Sequence, residues 1–130
     1  MEQSYKYEKV LVIDDTALDR FIADKVMRSS SFARNITCLN SAAAALSYLG
    51  TLSDESGTCP ELIFLDLNMP GMNGFQFLKE YKKLPCGLRK KSIVMLTSSV
   101  QEQDKTDALS DEYVMSFISK PLNRDVLKQL

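Results

Sequence analysis

The chain has 130 residues, enough for one core of ordinary size and little beyond it, and a single domain over 1–130 is expected. Its 45% hydrophobic and 25% charged residues exclude a disordered, collagen-like or coiled-coil chain. The 16 basic and 17 acidic side chains leave a formal charge of −1, so nothing draws it to nucleic acid or anionic lipid in general.

Along the chain, short β-branched runs alternate with segments of helical spacing, which is the pattern of repeated βα units. The first strand is expected over Lys9 to Ile13, followed by a helix with Leu18, Phe21, Ile22 and Val26 on one face. Asn35 to Leu39 gives the second strand. Ala42 to Leu49 gives the second helix, with Ser41 as its N-cap. Gly50 to Pro60 reads as a polar surface loop, an insertion before a third strand at Leu62 to Leu65. Phe75, Leu78 and Tyr81 recur at three-residue steps after Gly74 and mark the third helix. Arg89, Lys90 and Lys91, with Lys82 and Lys83 nearby, read as a solvated connection to a fourth strand at Ile93 to Leu96. Gln101 to Leu109 is a polar fourth helix, Val114 to Ile118 a fifth strand, and Leu122 to Leu130 a short fifth helix with Leu122, Val126, Leu127 and Leu130 as its apolar stripe. Four of the strands are apolar on successive residues, which suits burial on both faces of a parallel sheet. The expected architecture is α/β, a (βα)5 doubly wound five-stranded sheet in the flavodoxin-like order 2-1-3-4-5.

No apolar run approaches the ~20 residues that cross a bilayer, and the N-terminus lacks the apolar core of a secretion signal, so a cytoplasmic protein is expected. Cys38, Cys59 and Cys86 are odd in number and widely spaced, and they read as reduced thiols, Cys38 within a strand. Histidine is absent, which removes Ser-His-Asp and Cys-His catalysis and imidazole metal sites.

In doubly wound sheets, ligands bind beyond the carboxyl ends of the strands, where the strand order reverses. Asp14 and Asp15 end the first strand, Asp66 the third, Thr97 the fourth and Lys120 the fifth. Three converging carboxylates repel one another unless a cation balances them, and a hard divalent ion such as Mg²⁺ suits an all-oxygen set. A carboxylate beside such an ion and a lysine is equipped to attack phosphorus.

Four segments carry a resemblance: Val10 to Asp15, Phe64 to Gly74, Met95 to Ser98, and Phe117 to Pro121. Their order and spacing closely resemble the receiver domains of response regulators in two-component signalling, over about residues 8–130. The resemblance implies Asp66 as phosphoacceptor, with Mg²⁺ (or Mn²⁺) held by Asp14, Asp15, Asp66 and the backbone carbonyl of Asn68. It implies that Lys120 binds the phosphoryl group, that the Lys120–Pro121 peptide bond is cis, that Thr97 turns its hydroxyl onto the phosphate, and that Phe117 moves inward in response. Residues at the Asn68 and Ser99 positions tune phosphoryl lifetime in that family. The donor would be a sensor histidine kinase or histidine phosphotransfer protein. The output would be binding of a downstream protein through the fourth helix, fifth strand and fifth helix, with the chain a monomer or weak homodimer through that face. Little chain follows Pro121, so no effector domain is expected, and the protein would be a signalling phosphoacceptor rather than an enzyme. Two other readings share these residues. One is a metal-dependent aspartyl phosphohydrolase, although Asn68 stands where such enzymes commonly carry a second acid; the other is a receiver-shaped module that is never phosphorylated.

Overall fold

A computed structural model of the chain describes residues 4–53, 55–98 and 101–130. Five strands, β1 (Tyr7–Ile13), β2 (Ala33–Leu39), β3 (Leu62–Asp66), β4 (Ile93–Thr97) and β5 (Val114–Ser119), form one sheet in the order β2-β1-β3-β4-β5. Every pairing is parallel. Between and after the strands come α1 (Ala17–Ser29), α2 (Ala42–Leu49), α3 (Gly74–Tyr81), α4 (Glu102–Leu109) and α5 (Arg124–Leu127), with a 3₁₀ turn at Pro85–Leu88. This is the expected doubly wound arrangement.

Alternate residues of the central strands supply two separate cores, because successive side chains point to opposite faces. Leu11, Ile13, Ile63, Leu65, Ile93 and Met95 pack on one side with α2, α3 and Ala108 of α4. Val10, Val12, Leu62, Phe64, Val94 and Leu96 pack on the other with Ala23 and Met27 of α1 and Leu127 of α5. All residues of β3 and β4 are buried, as their continuous apolar runs require. In β5 only Val114 and Ile118 are. It has a neighbour on one side alone, so Met115, Ser116 and Phe117 stay half-buried.

Four local expectations change. In α1 the buried residues are Ala23 and Met27, whereas Leu18 is 64% and Phe21 60% exposed. The apolar side chains of this helix outnumber the positions its core face offers, and the surplus lies outward. The fifth helix is only the single turn Arg124–Leu127, capped when the Asn123 side chain accepts from the Val126 amide. Cys59 and Cys86 form a disulfide, with Cα atoms 5.6 Å apart, and are not reduced thiols. Parallel β3 and β4 begin side by side, so the segments entering them meet although 27 residues separate the two cysteines. Cys38 is a free thiol in β2, as expected. Cys59 and Pro60 are buried, so the 50–60 loop is anchored at its end rather than wholly superficial. Among the described residues no helix is long and apolar enough to cross a membrane.

Candidate functional site

The carboxyl rim of the sheet is fixed by backbone bonds that carry each ladder one residue past its strand. The Asp14 amide donates to Leu39 O (3.1 Å), Leu67 to Leu96 O (3.0 Å) and Lys120 to Thr97 O (2.8 Å). Residues at the ends of β1, β3, β4 and β5 are thereby held in register by their neighbours. The β3–α3 connection closes tightly behind them. Gly71 takes a φ of +81°, a left-handed conformation that glycine adopts without cost. A Cβ on Gly74 would stand 3.2 Å from Asp66 O and 3.1 Å from Leu67 Cα, so glycine lets α3 start directly against the end of β3.

Asp14, Asp15 and Asp66 converge, each offering a carboxylate oxygen within 4.8 Å of the others. Asp14 and Asp66 are buried and Asp15 is exposed. Lys120 projects into the group from the fifth strand's end. Its Nζ lies 2.8 Å from Asp14 Oδ2, 2.9 Å from Asp19 Oδ2 and 3.6 Å from Asp66 Oδ1. The Lys120–Pro121 bond is cis. Thr97 is fully buried, and its hydroxyl accepts from Asn68 Nδ2 at 3.3 Å, while the Asn68 amide donates to Asp66 Oδ1 at 3.2 Å. Asn68 thus bridges Asp66 and Thr97.

Burial pushes the Asp66 carboxyl up to about 7, the Asp14 charge adds to the rise, and Lys120 and the Asn68 amide oppose it. Burial alone would lower the Lys120 ammonium, but its bonds to Asp14 and Asp19 and the Asp66 charge hold it above the ordinary lysine value. One ammonium therefore faces three carboxylates at close range, and Asp15 adds a fourth acid nearby. Such an all-oxygen set with excess negative charge fits a hard divalent cation, which accepts carboxylate and carbonyl oxygens.

The residues singled out in sequence are thus brought together, apart from Phe117. It lies half-buried on β5 opposite Met95 and contributes to the core face rather than to the acidic group. Ser99 lies outside the described residues. Sequence reasoning passed over Asp19 and Arg20. Asp19, in the first turn of α1, reaches Lys120, and Arg20 Nη1 donates to the Asp14 carbonyl at 2.8 Å. Their position one helical turn after the acidic pair was the available signal, since that turn must face the same rim.

The sequence model of the response regulator receiver domain matches residues 10–130. The chain belongs to this family. The receiver is 32% identical over 126 residues to the two-component response regulator ARR6 of Arabidopsis thaliana, covering 93% of this chain and 66% of that protein. It is 28% identical to the response regulator Rcp1 of Synechocystis, covering 99% of this chain and 88% of that one. Among solved structures, a two-component response regulator from Cytophaga hutchinsonii superposes with a TM-score of 0.87 at 30% identity, covering 95% of the receiver and 93% of that chain. The Mn²⁺-bound form of Rcp1 superposes at 0.72 with 26% identity, covering 94% and 88%. The receiver therefore has the fold and family of two-component signalling, and its acidic pocket suits a phosphorylation site.

Proposed function

We infer that this receiver takes a phosphoryl group onto Asp66 from a phosphohistidine donor, with a divalent cation bound, and signals by changing which proteins it binds. The observation that carries this reading is the convergence of Asp14, Asp15, Asp66 and Lys120 on one rim, with Lys120 Nζ 3.6 Å from Asp66 Oδ1. In the transfer, an Asp66 carboxylate oxygen attacks phosphorus, the P–N bond to the donor imidazole breaks, and the imidazole leaves with its electron pair. Asp14, Asp15, Asp66 and the Asn68 carbonyl are the oxygens that would hold Mg²⁺ or Mn²⁺, and the Mn²⁺-bound Rcp1 structure supports that choice of ion. When bound, the ion supplies positive charge against the phosphoryl oxygens.

Lys120 supplies a fixed positive charge to one phosphoryl oxygen, and the Thr97 hydroxyl donates to another after leaving Asn68. That rotation empties space beside β4, which Phe117 on the adjacent strand is placed to take. The result is a shift between two arrangements of α4, β5 and α5, where Met115, Phe117, Val126 and Leu130 line an open groove for a protein target or a weak homodimer partner. Leu18 and Phe21, exposed on the helix that also carries Asp19, offer the donor protein an apolar footing beside the rim.

Intact mass after incubation with acetyl phosphate and Mg²⁺ tests the reading. The wild type is expected to gain one phosphoryl group and Asp66→Asn none. An unmodified wild type with metal bound would sink it.

A further inference from the structure

Lys120 is divided among three acids, and the division is uneven. Its ammonium makes short contacts with Asp14 (2.8 Å) and Asp19 (2.9 Å) and a longer one with Asp66 (3.6 Å). The lysine side chain is 12% exposed and that of Asp19 30%, so this ion pair is shielded on one side and open on the other. Asp14 is already committed in two further ways. Its Oδ1 accepts from the Thr16 amide at 2.9 Å, and its carbonyl accepts from Arg20. No other polar contact to the Asp19 carboxylate is seen among the described residues, so the one group it holds is Lys120.

We propose that Asp19 is a positioning residue that draws Lys120 towards α1 and away from Asp66 in the unphosphorylated protein, and so sets how readily the lysine meets a phosphoryl group. The proposal rests on Asp66 being the phosphoacceptor. A phosphoryl group on Asp66 brings about two negative charges within reach of the ammonium. Lys120 has three N–H donors, and with its short contacts at Asp14 and Asp19 and Asp66 at 3.6 Å, a closer approach to a phosphoryl oxygen on Asp66 weakens the geometry of those short contacts. Of the two, the Asp19 contact is the more exposed, and in this proposal it is the one that lengthens. Asp19 therefore acts as a competitor for the cation that stabilises the adduct, and its carboxylate makes the resting arrangement tighter and phosphorylation correspondingly harder. Release of Lys120 also frees the first turn of α1, which links the state of Asp66 to the helix carrying the exposed Leu18 and Phe21.

The test is the rate of acetyl phosphate labelling with Mg²⁺, followed by intact mass across acetyl phosphate concentrations, for wild type, Asp19→Asn and Asp19→Glu. Asp19→Asn is expected to half-saturate at about fivefold lower acetyl phosphate, the upper end of what a partly exposed ion pair is worth, with a smaller change in maximal rate. Asp19→Glu, which restores the charge, is expected to return towards wild type. The gain should persist at high salt, because a direct contact is screened much less than long-range repulsion of the donor. Beryllofluoride affinity, read from amide shifts without turnover, is expected to rise by a similar factor in Asp19→Asn. Equal half-saturation and equal beryllofluoride affinity in wild type and Asp19→Asn, with Asp66 labelled in both, would overturn the proposal and leave the phosphoacceptor reading standing. So would a gain that vanishes in salt, or a loss of affinity in Asp19→Asn. A wild type that takes no label overturns both.

Discussion

Asp66 sits where ionisation is costly, and that cost sets a pH dependence. Its carboxyl is raised from 3.8 to about 7 by burial and by Asp14. Between those values the folded chain keeps a proton that the unfolded chain has released, so stability falls as pH rises through that window and levels off above 7. Without divalent metal, Asp66→Asn is therefore expected to be more stable than wild type at pH 8, by on the order of a few kcal/mol, with the gap closing towards pH 4. Urea melts at the two pH values check this, and added Mg²⁺ should shrink the gap by balancing the carboxylates. At this scale the candidate site was largely legible: Asp14, Asp15, Asp66, Thr97 and Lys120 all end strands, and a parallel sheet brings strand ends to one rim. Asp19 was not, because an acid in the first turn of a helix ordinarily signifies only a favourable dipole contact. Leu18 and Phe21 misled for a related reason. Apolar periodicity identifies a helix, but the residues it buries depend on which neighbours close over it, and here small Ala23 and flexible Met27 take the core positions.

The elements differ in how they are secured. α3 begins with a capping box: the Asn73 side chain accepts from the Gln76 amide (2.9 Å), and the Gln76 side chain accepts from the Asn73 amide (2.9 Å). Asn73→Ala removes one half and is expected to cost about 1 kcal/mol in a urea melt. Because the box stands just after the β3–α3 turn, a cost well below that would mean that tertiary packing of Phe77 and Tyr81 alone sets the helix start. α4 has only Ala108 buried, and α5 is one turn. Strand positions were readable to within a residue or two, since continuous apolar runs bounded by polar termini have few other uses. Helix lengths were read less well, as the apolar stripe of α5 continues into Leu130, which packs on the core without lying in the helix.

Across the whole molecule, the disulfide and the acidic rim occupy opposite ends of the sheet. The cross-link closes a loop of 27 residues that includes β3 and α3, and the chain-entropy account gives it about 3 to 4 kcal/mol. Reduction should lower the urea midpoint accordingly and leave acetyl phosphate labelling of Asp66 unchanged. Labelling that fails in reductant would show the two ends to be mechanically joined. Nothing in the sequence distinguished this pair, because proximity came from the parallel alignment of β3 and β4 and not from spacing along the chain.

The position of Asp66 on the middle strand also sets a time order. β3 is flanked by β1 and β4 and has every side chain buried, so its amides reach solvent only when the molecule opens as a whole. α4 and α5 have little buried surface to hold them and should exchange deuterium orders of magnitude sooner. Deuterium uptake followed by proteolysis and mass spectrometry should show β3 peptides among the last to fill and those of α4 and α5 among the first. The phosphoryl group would then be written beside the slowest-exchanging part of the protein and read from the fastest.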